Sequence, residues 1–269
     1  MSRSSLAAAA DRLESLLPGL DPEAASALSA QLSSVAGLLD SEYRLRRSLA
    51  DPSGSPDARA GLLSRLLVGR VDDAAVDLLT GVVRGRWAAP IDLVAAVSEL
   101  AAQAGLAAAD RRGVLDDVED ELFRFARILA REPQLSLALS DPALPADRKD
   151  ALLRRLLDGR AQGDTLALVR QAVTDTRGRA LDRRLDQLTR LAAARRQRLV
   201  AVVRVARPLD DDQAERLRAA LGGVYGREVQ LQVDLDPAVL GGAVVTVGDE
   251  ILDGSVARRL AQVRARLAG

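Results

Sequence analysis

Three short stretches of this 269-residue sequence contain residue types that could bind an ion or support chemistry. Residues 210–212 are three consecutive aspartates, residues 194–198 contain three arginines, and residues 241–254 contain four glycines. In that order, the patterns are compatible with a divalent-cation site, a nucleic-acid contact and a phosphate-binding loop.

Each of these stretches also has a structural explanation. Aspartates at the start of a helix complement its dipole, and Gln213 stands three residues after Asp210, as in a capping box. Arginines at the end of a helix complement the opposite pole, and no aromatic residue is interleaved with them for base stacking. The glycines precede a strand and lie inside a hairpin, without the Gly-x-x-x-x-Gly-Lys-Ser/Thr pattern of a phosphate loop. The sequence therefore favours caps and turns, with no metal, no cofactor and no nucleic-acid partner.

The composition excludes several kinds of catalytic site. The sequence has no cysteine and no histidine, which removes disulfides, Cys/His metal sites, thiol nucleophiles and imidazole bases. An enzyme that uses carboxylates and arginines stays open as an alternative, but it needs two acids converging in one cleft. The formal net charge is +0, so no global field attracts the chain to nucleic acid or anionic lipid.

Apolar periodicity predicts a mainly helical chain. Hydrophobic residues make up 48% of the sequence and aromatic residues only 2%, so the cores must consist of Leu, Val and Ala, as in helical bundles. No uninterrupted apolar run approaches the ~20 residues that span a bilayer, and no signal peptide precedes the first helix. We expect a cytosolic, soluble chain without direct membrane insertion.

A helix-rich segment occurs twice. Residues 32–52 align without a gap on residues 122–142, and both segments end in Asp-Pro. Residues 62–70 match residues 152–160 in the same register, and both end in Gly-Arg. Unrelated Leu-rich helices would not share these Asp-Pro and Gly-Arg breaks, so the sequence predicts a duplicated bundle.

The joint between the two copies is predicted to be a shared helix. Residues 6–13 resemble residues 93–100, so a helix beginning near Ile91 can close the first bundle and open the second. The predicted domains are residues 1–88, an extra bundle; residues 89–196, a bundle with a long final helix; and residues 197–269, a small α/β domain.

The C-terminal domain is predicted to have the order β-α-β-β-α. Residues 200–206 are an apolar run, a helix begins near Asp210, and residues 229–235 alternate apolar with polar side chains. A hairpin follows at residues 243–252, and a last helix begins at Ser255. The predicted fold class is therefore mainly α, with tandem duplicated helical bundles followed by a small α/β module.

Taken in order, the last thirty residues form a more specific pattern than any of these pieces. Leu-Gly-Gly, an apolar strand, Gly-Asp, Asp-Gly-Ser-Val and Arg-Leu follow one another, and together they resemble the C-terminal signature of the delta subunit of F-type ATP synthases, the oligomycin-sensitivity-conferring protein family. Residues from about 90 onward resemble a whole ordinary delta subunit, and the extra bundle before them resembles the long actinobacterial form. The residues that carry the signature are Gly241, Gly242, Gly248, Asp249, Asp253, Gly254, Ser255, Arg259 and Leu260.

This resemblance implies a function without catalysis. The bundle would receive the N-terminal helices of the alpha subunits on the catalytic head, and the C-terminal domain would hold the b subunit. One copy per complex would act as a stator of the peripheral stalk, on the cytoplasmic side of the bacterial plasma membrane. The alternative is a helical adaptor that binds partner helices in another assembly.

Six apolar residues are candidates for contact with a partner helix in the second bundle. Alanine allows close approach of two helices, and Leu or Val fills a groove between them. The alternative is that all six belong to the bundle core. We expect Leu93, Val97 and Leu100 to face Leu168, Val169 and Ala172.

Overall fold

The structure is a computed structural model that describes residues 3–141, 143–175, 181–197, 199–225, 229–237, 239, 241–247 and 250–253. The chain divides into two compact units, residues 1–195 and 196–269. The first unit is helical, and the second contains a sheet.

The helices begin and end where the sequence provides caps and breaks. Asp21 Oδ1 accepts the N–H of Ala24 at 2.7 Å, and Ser55 Oγ accepts that of Ala58 at 3.1 Å, each directly before a proline at the first helical position. A short 3-10 helix, Leu17–Gly19, separates the first two helices. The helices are α1 (Arg3–Leu16), α2 (Pro22–Ser41), α3 (Tyr43–Ala50), α4 (Pro56–Leu67), α5 (Asp73–Arg84), α6 (Pro90–Arg111), α7 (Leu115–Arg131), α8 (Pro133–Ser140), α9 (Ala146–Leu157), α10 (Gly163–Thr174) and α11 (Leu181–Gln197).

The duplication predicted from the sequence is present in three dimensions. Helices α3, α4 and α5 recur as α8, α9 and α10, with both ends of each helix shifted by 90 residues. Gly69 after α4 and Gly159 after α9 have φ values of 74° and 68°, so each helix ends in the same left-handed turn. A buried cation also recurs at the same place, as Arg59 in α4 and Lys149 in α9.

Polar contacts repeat as well. In the first copy Gln31 Oε1 accepts the backbone N–H of Asp72 at 3.1 Å; in the second, Glu121 Oε2 accepts that of Gln162 at 2.9 Å. Each contact ties the second helix of its copy to the start of the fifth, although the residue types differ. The two copies therefore share the positions of these hydrogen bonds more than the residue types that form them.

Helix α6 contributes to the cores of both bundles. Leu93 and Val97 lie in the core formed with α1–α5, the first bundle, whereas Leu106 and Ala109 lie in the core formed with α7–α11, the second bundle. By length and composition alone α6 could cross a membrane. Its place between two protein cores accounts for that composition. The division of the first unit at residue 88 stays a prediction, because α6 belongs to both bundles.

The second unit is a small sheet with a helix packed on it. The strands β1 (Leu199–Val205), β2 (Val229–Leu235), β3 (Ala243–Val247) and β4 (Glu250–Asp253) lie in the order β2-β1-β3-β4, and α12 (Asp211–Tyr225) connects β1 to β2. Strands β1 and β2 are parallel, whereas β3 pairs antiparallel with both β1 and β4. The core includes Val203, Val245 and Leu221.

These elements confirm the predicted fold class, mainly α with a small α/β domain. The hairpin is also found: Val247 pairs with Glu250, which leaves a two-residue connection between β3 and β4. The helix predicted from Ser255 lies outside the described residues.

Candidate functional site

The six apolar residues predicted to contact a partner helix are all buried within the chain itself. Three of them lie on α6 in the core of the first bundle, and three lie on α10 in the core of the second. The two sets therefore occupy different cores instead of facing each other, because α6 turns its first three toward α1–α5. Burial agrees with the core alternative, and contact with a partner stays a prediction. In order, the six are Leu93, Val97 and Leu100, then Leu168, Val169 and Ala172.

The side of α6 that faces away from the first core is the floor of a polar cleft. Helices α2, α10 and α11 form its walls, and Ser98 lies at the centre. Arg184 of α11 forms an ion pair with Asp175, which follows α10, and Gln187 Nε2 donates to Glu99 Oε2 at 2.9 Å. Ala172, one of the six predicted residues, lines this cleft together with these polar side chains.

The side-chain amide of Gln171, in the cleft, has an unmet hydrogen-bonding requirement. Gln171 Nε2 is buried, and no acceptor for it is found in the described part of the chain. Burying an amide donor without a partner costs free energy, so such groups are rare in folded proteins.

Arg112, directly after α6, connects the two bundles. Its Nη1 atom donates to Asp164 Oδ1 at 2.7 Å and to Ser26 Oγ at 3.0 Å, and its Nη2 atom donates to the Pro22 carbonyl at 3.1 Å. Burial raises the pKa of Asp164, while the charge of Arg112 acts in the opposite direction. The guanidinium thus holds the start of α10 against the start of α2.

Arg195 forms a second connection near the end of α11. Its Nη1 atom lies 2.9 Å from Glu14 Oε1 in α1, and its Nε atom lies 3.2 Å from Asp110 Oδ2 in α6. The side chains of Arg195 and Glu14 are only 12% and 13% exposed, so solvent screens the pair weakly. The arginine-rich stretch considered as a nucleic-acid contact therefore uses Arg195 within the protein.

In the second unit, the signature residues that the structure describes lie around β3 and β4. Gly241 and Gly242 have φ values of 73° and 76°, a left-handed conformation that residues with a Cβ atom avoid. They lead into β3, and Asp253, the last residue of β4, pairs with Val244. The other signature residues lie outside the described part: Gly248, Asp249, Gly254, Ser255, Arg259 and Leu260.

The aspartates considered as a cation site form a helix cap. Asp210 Oδ1 accepts the N–H of Gln213 at 2.7 Å, and Gln213 Oε1 accepts the N–H of Asp210 at 3.1 Å. Asp211 and Asp212 are exposed in the first turn of α12. Among the described residues, no group of three or more Asp, Glu, His or Cys side chains is placed to hold a metal ion. The capping explanation is confirmed.

The sequence-based reasoning did not find the arginines that join the bundles. Arg112 was not singled out, and Arg195 was considered only within the arginines at the end of a helix. Their partners, Asp164 and Glu14, are 52 and 181 residues away in the chain. A local pattern carries no signal for such pairs.

The fold and these contacts define a class of protein: a helical scaffold in which two bundles share one helix and a small α/β unit follows. The family model described as "ATP synthase delta (OSCP) subunit" matches residues 97–267. A protein named ATP synthase subunit delta from Streptomyces griseus is 50% identical, over 100% of this chain and 98% of its own length. Another of that name from Parafrankia sp. is 53% identical, over 89% of this chain and 86% of its own length. The chain therefore belongs to the ATP synthase delta (OSCP) subunit family.

The comparisons differ in whether they cover the first bundle. The family model begins at residue 97, inside α6, so most of the first bundle lies outside it, whereas the Streptomyces griseus protein matches over both bundles. The long form is thus shared with relatives. Among solved structures, a chain of the Toxoplasma gondii mitochondrial ATP synthase hexamer is 25% identical over 62% of this chain and 95% of its own length, with a TM-score of 0.28.

Proposed function

We propose that this chain is a non-catalytic stator subunit in the peripheral stalk of an F-type ATP synthase. The observation that carries the proposal is 50% identity over the whole chain to a protein named ATP synthase subunit delta. In this role the chain links the alpha subunits of the catalytic head to the b-subunit stalk, so that proton flow is coupled to ATP synthesis. One copy is present per complex, peripheral to the membrane on its cytoplasmic side.

The division into two compact units supports this proposal. A stator needs one attachment to the head and another to the stalk, and a typical stable interface takes about 800 Å² per partner. The helical unit and the α/β unit each have their own hydrophobic core, so each can keep its shape while bound. We assign the bundles to the alpha subunits and the α/β unit to the b subunit.

The joining of the two bundles also supports a mechanical role. A subunit under torque must not deform between its contacts. Helix α6 lies in both cores, and the buried Glu14–Arg195 pair joins α1 to α11. Separating the bundles would expose apolar surface and break charge-assisted hydrogen bonds, so their arrangement resists strain.

Inverted membrane vesicles from the host organism, stripped of this chain, test the function. We expect the stripped vesicles to hydrolyse ATP without pumping protons, and the purified full chain to restore pumping. Normal pumping without the chain would contradict the proposal, as would ATP hydrolysis by the purified chain alone. Binding of the full chain to alpha and b subunits, against an unrelated helical bundle as control, separates the stator from a general helical adaptor.

A further inference from the structure

The duplication places equivalent faces on α2 of the first bundle and α7 of the second. Four positions on α2 line the polar cleft under α10, and the four positions 90 residues later on α7 line another groove. The equivalent pairs are Ser33 and Phe123, Ala36 and Ala126, Gly37 and Arg127, and Asp40 and Ala130.

In the first bundle, the end of a helix lies beside this face. Gln171 and Thr174 of α10 line the same cleft as the α2 residues, and Arg112 holds the start of α10 next to Glu23 at the start of α2. The end of α10 therefore faces this surface of α2, where Ala36 is 5% exposed within the first core and Gly37 is exposed. Within the chain, this surface thus already lies next to the end of a helix.

In the second bundle, the equivalent face is open in the described structure. A groove of about 410 Å³ lies between α7 and α11, and the Phe123 ring on its edge is 51% exposed. Ala126 is more exposed than its equivalent Ala36. In a stack of repeats, each repeat buries the surface that the next one covers, and the last repeat leaves that surface available.

The groove has a definite chemistry. Ala126 and Ala130 are small and let a helix approach closely, while Phe123 provides a large apolar contact. Arg127 on α7 and Arg190 on α11 supply positive charge from both sides, against the single carboxylate of Asp186. The Arg127 guanidinium lies 5.7 Å from the centre of the Phe123 ring, which keeps the apolar and cationic groups together.

We propose that the groove between α7 and α11 binds an amphipathic helix of a partner protein. Its apolar face contacts Phe123 and Ala126, and acidic residues beside that face pair with Arg127 and Arg190. The inference rests on the internal duplication and the charge of the groove, and it does not depend on the stator function or on the six buried residues of α6 and α10.

A synthetic peptide tests the site in the full chain. The probe is a fluorescent helix of about 16 residues, because shorter isolated helices are marginal in water, with Leu and Ala on one face and Glu on both flanks. In anisotropy titrations we expect Phe123→Asp to weaken binding about tenfold or more, as at an interface hot spot. The matched control is Val68→Asp: Val68 is 66% exposed on the first bundle, and its equivalent in the second bundle is already Asp158.

Charge reversal separates this site from non-specific apolar binding. The double variant Arg127→Glu, Arg190→Glu should lose the Glu peptide and gain a matching Lys peptide, because electrostatic complementarity sets the preference. Both arginines are exposed, so this variant keeps the test valid if Phe123→Asp unfolds the chain. No binding, equal binding of both peptides, or no effect of any groove variant would overturn the proposal. Self-association of the chain that Phe123→Asp abolishes would also overturn it, by making a second copy the occupant.

Discussion

At the scale of single residues, Arg112 and Arg195 connect the two bundles in addition to the shared helix α6. Arg112 makes its contacts at the junction of α2, α6 and α10, where Asp164 keeps only 15% of its side chain exposed. Hydrogen bonds between charged groups are stronger than neutral ones, and a half-buried carboxylate without its cation is costly. The junction therefore depends on this one side chain.

We expect Arg112→Met to lower the free energy of unfolding by about 1–3 kcal/mol, because it leaves Asp164 without its cation. Arg154→Met is the matched control: Arg154 pairs with Asp150 on one face of α9 and is 58% exposed. That loss should be below about 0.5 kcal/mol. Urea unfolding followed by circular dichroism measures both, and equal losses would contradict the special role of Arg112.

Two aspartates should titrate on opposite sides of the ordinary aspartate pKa of 3.8. Hydrogen bonds from Arg154 and Arg170 lower the pKa of Asp150, whereas burial raises the pKa of Asp164. Asp150 therefore contributes stability above pH 3.8 that is lost as the pH falls through its lowered pKa. Ionisation of Asp164 instead destabilises the fold as the pH rises from 3.8 through its raised pKa.

Carboxyl NMR titration of the full chain measures both pKa values directly. In addition, the stability difference between the native chain and Asp150→Asn should be present at neutral pH and disappear in acid. An Asp164 pKa below 3.8 would show that the charge of Arg112 outweighs burial.

At the scale of the elements, α6 allows its neighbours unusually close approach. A Cβ atom at Gly105 would lie 3.0 Å from Ser29 Oγ in α2 and 3.1 Å from Leu168 Cδ2 in α10. Neither neighbour can move easily, because Ser29 Oγ donates to the Ala101 carbonyl at 2.7 Å and Leu168 is buried. Gly105 thus fixes the spacing of three helices from both bundles.

We expect Gly105→Ala to destabilise the chain by about 1 kcal/mol, because overpacking outweighs the gain in helix propensity. Gly61→Ala in α4 is the control, since nothing lies within 4 Å of its added Cβ atom. That variant should stabilise the chain by roughly 0.5–1 kcal/mol. Thermal unfolding of the two variants decides the matter, and a stabilising Gly105→Ala would mean that α2 and α10 can move apart.

At the scale of the whole molecule, the first bundle is required to cover α6. Leu93, Val97 and Leu100 have no exposed surface, and the core around them comes from α1–α5. A chain reduced to residues 89–269 would present this apolar face to water. The first bundle therefore supplies the core that buries this face of the shared helix α6.

Deletion of residues 1–88 should therefore make the remaining chain self-associate. Each exposed Leu or Val forfeits about 1.5–3 kcal/mol of burial, and association is a way to recover it. The same fragment with Leu93→Gln, Val97→Gln and Leu100→Gln should be monomeric by size-exclusion chromatography with light scattering. A monomeric, stable fragment without these changes would show that α6 does not need the first bundle.

The sequence by itself determined the element types, the duplication and the family. Apolar periodicity, Asp-Pro and Gly-Arg breaks and the capping box at Asp210 act over a few residues, so they can be recognised without knowing which helices meet. The C-terminal signature could be recognised for the same reason, because its glycines and turn residues follow one another in the chain.

Only the tertiary structure decided how those elements use their surfaces. The side chains of Leu93, Val97 and Leu100 point into the core of the first bundle. Polar side chains line the cleft, and Glu14 forms an ion pair with Arg195. The tertiary structure also left Phe123 on an open groove, whereas the end of α10 lines the cleft at the equivalent face of α2. These outcomes depend on contacts between residues far apart in the chain, and no local sequence pattern indicates which of those contacts form.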